Sequence, residues 1–248
     1  MKIIPLSEGA FTIDKTKHFV PFNKASDDLQ QRTTGSLLVE IQPFCIVTSS
    51  DIIVIDTGLG FSNSDGTLQI HQNLLDNDIN PMDVNKVLIS HLHKDHSGGI
   101  SREDKILQQK FFSFPNAVYY VNKDEFNEAM LKGKPSYTPA EFDILSSSDK
   151  VIFTQGNTVI DKSIRCQVSG AHSPYHQVFW IEENGETIFF GGDVAPQLQQ
   201  MKSRFVAKYD YDGKKCMELR QQWWQQGMEE NWTFLFYHDI KTPVFKFS

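Results

Sequence analysis

The run His91-Leu92-His93-Lys94-Asp95-His96 puts three imidazoles and a carboxylate into six residues. Any fold this chain adopts must find a use for that density of ligand-type groups. Val87-Leu88-Ile89 read as a buried strand that ends at Ser90. His91 and His93 then stand at a strand end, where alternation turns both side chains to one side. Asp95 and His96 follow in the turn ahead of Ser97-Gly98-Gly99. Neutral imidazole nitrogens and a carboxylate oxygen are ligands for a borderline metal such as zinc. The alternative is a solvated polar loop, which would need no partners elsewhere in the chain.

Candidate partners do occur downstream, each where an apolar run gives way to a loop. Gly170-Ala171-His172 follows Ile164–Val168, Gly191-Gly192-Asp193 follows residues 187–190, and His238-Asp239 follows residues 234–237. Glycines at such places let the backbone pass close to a bound ion. A lone His at a strand end is more often a hydrogen-bonded loop or core residue. Four loops that together deliver five His and two Asp form a joint signal that no single loop carries.

The order His91-x-His93-x-Asp95-His96, then His172, Asp193 and His238, resembles the metallo-β-lactamase superfamily of metal-dependent hydrolases. The similarity runs from about Leu38 to His238 and includes Ile53-Val54-Ile55-Asp56-Thr57-Gly58, which looks like the superfamily's early strand and turn. The resemblance implies an α/β fold, an αββα sandwich of two mixed β-sheets with outer helices, here as one domain over residues 1–248. It implies one metal on His91, His93 and His172, a second on Asp95, His96 and His238, and Asp193 bridging them. Two divalent ions are expected, zinc first, with iron or manganese also compatible. The implied activity is hydrolysis of a small ester, lactone or phosphoester by a hydroxide held between the metals, with Asp95 also serving in catalysis.

Branch points within the superfamily narrow this. Asp193 stands where the best-known β-lactam hydrolases carry Cys, and His93 where flavodiiron reductases carry Glu. Ten residues follow His238, so no helical extension of the glyoxalase II kind is expected. The pattern is most similar to N-acyl-homoserine lactonases and related ester and phosphotriester hydrolases. It departs from them at Val194-Ala195-Pro196, where lactonases place a Tyr shortly after the bridging Asp. A mononuclear iron persulfide dioxygenase and a non-catalytic metal-binding protein of the same fold are the rival readings; metal stoichiometry separates the first, and a broken ligand set would mark the second.

Composition excludes several classes. A net charge of −7 without a long basic run argues against nucleic acid as the partner. No apolar stretch is long enough to span a bilayer. The apolar start is cut by Pro5, too early for a signal-peptide core, so a cytoplasmic protein is expected. Cys45, Cys166 and Cys216 form no CxxC pair and read as buried thiols. Nineteen Phe suggest aromatic packing and an apolar pocket. No G-x-S-x-G elbow is present.

Local patterning predicts the elements around these motifs. Residues 1–12 read as a first strand and turn, 36–48 with 51–55 as a hairpin, and 68–76 as a helix with His71 on its surface. Strands are expected at 117–121, 151–153, 158–160, Ile164–Val168, 177–181, 187–190 and 232–237. Helices are expected at 122–132, with Gly133 as its stop, at 140–145 and at 213–228. Phe19, Val20 and Phe22 form an apolar island in a polar segment, either a loop walling the pocket or an edge strand. They point to a small-molecule substrate with an apolar arm; Trp223 and Trp224 are weaker wall candidates. Asp56 and Asp239 are the expected hydrogen-bond partners of the metal-binding imidazoles. His176 reads as a structural histidine, and His18 as exposed or lining the pocket.

Overall fold

The computed structural model describes residues 1–104 and 107–247. Its strands are β1 (Lys2–Pro5), β2 (Gly9–Ile13), β3 (Phe19–Pro21), β4 (Leu37–Ile41), β5 (Phe44–Val47), β6 (Ile52–Ile55), β7 (Lys86–Leu88), β8 (Ser101–Asp104), β9 (Gln109–Phe112), β10 (Val118–Asn122), β11 (Val151–Thr154), β12 (Thr158–Val159), β13 (Ile164–Val168), β14 (Gln177–Glu183), β15 (Glu186–Phe190), β16 (Thr233–Leu235) and β17 (Val244–Lys246). The α-helices are α1 (Gln69–Leu75), α2 (Lys94–Ser97), α3 (Lys123–Lys132), α4 (Pro139–Phe142), α5 (Leu198–Met201) and α6 (Gly213–Glu229).

Two six-stranded sheets face each other, ordered β1-β5-β6-β7-β10-β11 and β12-β13-β14-β15-β16-β17. Both are mixed: β6, β7, β10 and β11 run parallel, and β15 runs parallel to β16 in an otherwise antiparallel sheet. The central strands are apolar on both faces, as expected when each sheet is covered on both sides. Ile53 and Ile55 of β6 meet Phe179 and Ile181 of β14 and Phe190 of β15 between the sheets. Their strand neighbours point the other way. Val54 packs under α1 and α3 with Ile70, Leu74 and Phe126, while Trp180 and Phe189 pack under α6 with Cys216 and Trp223. The result is the expected four-layer αββα sandwich. Trp223 and Trp224 serve this outer core.

Several local expectations shift in detail. The first segment splits, β1 joining the large sheet and β2 a three-stranded sheet with β3 and β4. The expected hairpin is β5–β6, and β4 belongs elsewhere. Asn122 caps α3, accepting from the Asp124 and Glu125 amides, and Gly133 ends it at φ 58°. His71 is half-buried, its ring 5.2 Å from that of Phe114, so it is no surface residue. The three cysteines are buried and unpaired. Among the described residues no helix is long and apolar enough to cross a membrane.

The turn after β6 and the loop after α2 are fitted backbone to backbone. A Cβ on Gly99 would lie 2.2 Å from the Thr57 carbonyl oxygen, and one on Gly60 2.2 Å from that of Gly98. The Thr57 amide and hydroxyl both donate to the His96 carbonyl, 2.8 and 3.1 Å away. These contacts fix α2, and with it the metal motif, against β6. Gly99→Ala should therefore lower stability by about 1–3 kcal/mol, read from urea denaturation. A loss under about 0.5 kcal/mol, within the range of an ordinary surface substitution, would show that the loop yields freely.

Candidate metal centre

The parallel strands β6 and β7 end side by side, and the chain leaves both into the site. Asp56 follows β6, His91 follows β7, His93 precedes α2, and Asp95 and His96 lie within it. From the second sheet come His172 after β13, Asp193 in the short turn after β15, and His238 after β16. All seven expected ligand residues converge. They form two donor groups, His91, His93, His172 and Asp193 on one side, and Asp95, His96 and His238 on the other.

The geometry of the first group turns ring nitrogens toward one another. His93 Nδ1 lies 2.9 Å from His91 Nε2 and 3.1 Å from His172 Nε2. Asp193 Oδ2 lies 3.2 Å from His172 Nε2 and 3.9 Å from His91 Nε2. Its other oxygen, Oδ1, turns to the second group, 3.0 Å from His238 Nε2 and 3.2 Å from His96 Nε2. Asp95 Oδ2 completes that group at 3.6 and 3.7 Å from the same nitrogens. One carboxylate thus presents one oxygen to each group.

The opposite edges of the rings are committed. His96 Nδ1 lies 2.8 Å from Asp56 Oδ2. The Ser90 hydroxyl donates to the same carboxylate oxygen at 2.7 Å and meets His91 Nδ1 at 3.0 Å. Asp56, fully buried, therefore orients one imidazole in each group, directly or through Ser90. His172 Nδ1 lies 2.7 Å from Asp210 Oδ1, and His238 Nδ1 donates to the Glu40 carbonyl at 2.7 Å. With Nδ1 engaged in these four rings, Nε2 is the nitrogen left facing into the site. Tyr237 stacks on His96 with ring centroids 4.0 Å apart and donates to the Asp95 carbonyl at 2.5 Å.

Ligand-type atoms 2.9–3.9 Å apart, all turned inward, fit a cation. Donors on an ion at about 2.0–2.1 Å stand roughly 3.3 Å from each other, the spacing found here. His96 Nε2 and Asp193 Oδ1 are buried without a well-formed hydrogen bond, which is the signature of groups meant for another partner. Burial, then the neighbouring imidazoles, holds His91 and His93 well below the usual range, in the neutral form a metal needs. At His96 burial opposes the charge, but Asp193, Asp95 and Asp56 outweigh it and raise its pKa. Asp193 is likewise held low, against burial, by His238, His96 and His172.

Other expected positions separate. Asp239 does not reach an imidazole; its carboxylate accepts from the Leu198, Lys241 and Thr242 amides and closes its own loop. Asp210 instead holds His172, from an irregular segment before α6 that gave no signal in the sequence. His176 is in neither donor group; its Nε2 accepts from the Asp193 amide at 3.2 Å and its Nδ1 meets the Ser169 hydroxyl. A cavity of about 940 Å³ opens over the site. Phe19 lines it, but Val20 and Phe22 do not. β3 is an edge strand, so alternation turns Val20 to solvent, and Phe22 joins a separate small hollow with Phe61. His18 is exposed.

A sequence model described as the metallo-beta-lactamase superfamily matches residues 41–223, nearly three-quarters of the chain. The chain belongs to the metallo-beta-lactamase superfamily. Solved superfamily-like structures agree in fold. A probable metal-dependent hydrolase from Staphylococcus aureus is 23% identical with a TM-score of 0.79, over 100% of this chain and 92% of that one. AidC, a dizinc quorum-quenching lactonase in complex with a product, is 19% identical with a TM-score of 0.71, over 98% and 88%. An N-acyl homoserine lactone hydrolase with N-hexanoyl-L-homoserine at its catalytic metal centre is also 19% identical, with a TM-score of 0.67, over 97% and 94%. At such identities the likeness concerns the fold. No curated protein matches the sequence closely enough to add to these.

Asp210→Asn should weaken metal affinity about 10–100-fold, the usual effect of losing a ligand's hydrogen-bond partner. Asp239→Asn should leave affinity near wild type. Competition with a metal-sensitive chelator dye measures both, and equal losses would show that Asp210 does not orient His172.

Proposed function

We propose that this chain is a dinuclear metal-dependent hydrolase of a small ester, lactone or phosphoester. The observation that carries the reading is Asp193, whose two oxygens face two separate donor groups. A single tetrahedral ion has no use for seven such residues. His91, His93 and His172 would hold one ion, Asp95, His96 and His238 the other, and Asp193 both; zinc suits the imidazole-rich set. Bound there, the pair would supply a nucleophilic water near neutral pH and polarise the carbonyl or phosphoryl oxygen.

The chain's own residues do the rest. Asp95 lines the cavity, and its carboxylate would hold the proton released on attack and pass it to the leaving oxygen. Tyr237 holds the backbone from which the Asp95 carboxylate projects. Phe19, Leu37, Leu38 and Val39 make one wall of the cavity apolar, which suits an acyl or alkyl arm and keeps water from the cleft. The neighbours described as lactonases support a lactone among the candidate substrates. The Val194-Ala195-Pro196 departure keeps esters and phosphoesters beside it.

Metal-replete protein should contain about two ions per chain by elemental analysis, and chelation should abolish turnover of a panel of lactones, aryl esters, thioesters and phosphotriesters. One ion per chain with a strict iron requirement would replace the hydrolase with the mononuclear dioxygenase. Phe19→Ala should raise KM for long-chain substrates more than for short ones, since each buried methylene contributes about 0.8 kcal/mol. Phe22→Ala should not show that chain-length dependence; the same dependence in both variants would mean that the effect is not local to the cavity.

A further inference from the structure

Of the lysines that line the cavity, Lys17 and Lys94 are half-buried yet belong to no ion pair among the described residues, while Lys15 and Lys208 are exposed to water. Lys17 lies in the turn between β2 and β3, and Lys94 opens α2 between His93 and Asp95. Neither is among the ion pairs of the described residues, whereas Lys132 on the same rim is paired with Glu128 at 2.7 Å. Each sits over a ring instead, Lys94 5.4 Å from the Phe19 centroid and Lys17 6.0 Å from that of Tyr209. A ring attracts a cation without cancelling its charge. A partly desolvated cation ordinarily has an anion beside it.

The obvious local anions are engaged elsewhere. Asp14, on the same rim, keeps its charge but is in no ion pair with either lysine, and its carboxylate accepts from the Thr16 amide and hydroxyl. Glu141 is near enough to feel Lys94, but burial pushes its carboxyl up to about 7, so it is only partly ionised at neutral pH. The carboxylates of the metal centre, those of Asp56, Asp95, Asp193 and Asp210, are turned to imidazoles rather than to either lysine. Lys17, Lys94 and the ligand residue His93 line one and the same cavity. The whole chain carries −7, so attraction of an anion must come from a local source such as this.

We propose that Lys17 and Lys94 form an anion-binding subsite, so that the substrate is an anionic ester or lactone with a carboxylate or phosphate group on an apolar body. This rests on the hydrolase reading above for its turnover, and on the cavity alone for its binding. Lys17 and Lys94 would flank the anion while Phe19 and Tyr209, beneath the two ammonium groups, contact the apolar part of the same molecule. Charge and apolar surface are then recognised together, and a neutral ester of equal length forfeits the first.

Matched 4-nitrophenyl esters test it with the metal-loaded enzyme: a hexanoate, the mono-ester of adipate and its phosphonate-ended analogue. At least one anionic ester should exceed the neutral one in kcat/KM by roughly tenfold, the value of one charge-assisted contact, chiefly through KM. Whichever anion gains more identifies the source, and added salt should erode the gain. Lys17→Gln and Lys94→Gln should each reduce the ratio of anionic to neutral kcat/KM, and Lys94→Arg should restore most of it. A ratio near one in wild type, or a ratio unchanged in both Gln variants, overturns the subsite and leaves the hydrolase standing. If no ester is cleaved, the hydrolase reading fails, and calorimetry of adipate and phenylphosphonate against wild type and the Lys17→Gln/Lys94→Gln double variant, both with confirmed metal content, still decides. Weaker binding to the double variant supports the subsite, and equal binding overturns it.

Discussion

The Asp193 carboxylate is the interaction on which the rest of the site depends. It is surrounded by four imidazoles and presents one oxygen to each set of donors. A buried carboxylate in that position needs its backbone held. Gly192, at φ 50°, lets the turn after β15 pass so close to His176 that a Cβ would lie 2.5 Å from Nε2. His176 uses that nitrogen to accept from the Asp193 amide. A histidine outside both donor groups thus sets the residue common to them, and the buried Ser169 hydroxyl in turn sets His176. Asp56 does the same for the first sheet, orienting His96 directly and His91 through Ser90.

Much of this was legible because it is local. The strands that carry the site are apolar on both faces, so their ends are visible as places where Val, Ile and Phe stop and His or Asp begins. The metal motif is contiguous, and the turn after β6 follows the strand that carries Asp56. Contacts between segments distant in sequence were not legible. Asp210 meets His172 across 38 residues, from a stretch without periodicity. Asp239 looked suitable because it adjoins His238, yet adjacency turned its carboxylate back onto nearby amides, the common fate of Asp in a loop. Phe19, Val20 and Phe22 read as one apolar island, but pairing of β3 with β2 splits them by strand parity. His71 was placed outside by helical spacing alone, and the loop that brings Phe114 over it lies more than forty residues on.

The cavity combines demands that usually separate. Its floor is the charged centre, one wall is aliphatic and aromatic, and its rim holds lysines in a chain that is acidic overall. A molecule that satisfied all three would be amphiphilic and anionic. The strand that supplies Phe19 and the turn that supplies Lys17 belong to the small β2-β3-β4 sheet rather than to the sandwich. That small sheet also touches the metal centre, since the Glu40 carbonyl of β4 accepts from His238 Nδ1.

Each donor group draws on both large sheets. His91 and His93 from the first stand with His172 and Asp193 from the second, and Asp95 and His96 with His238. Metal ions seated there would rivet the two halves of the sandwich at one end, beyond the apolar layer between them. Whatever binds the folded chain and not the unfolded one adds about 2.7 kcal/mol at a hundredfold excess over its dissociation constant, a sizeable share of a domain's total of about 5–15 kcal/mol. The supply of free metal would then bear on how long the protein persists, because without ions the end of the sandwich where His91, His93, Asp95 and His96 meet His172, Asp193 and His238 would lose its tie.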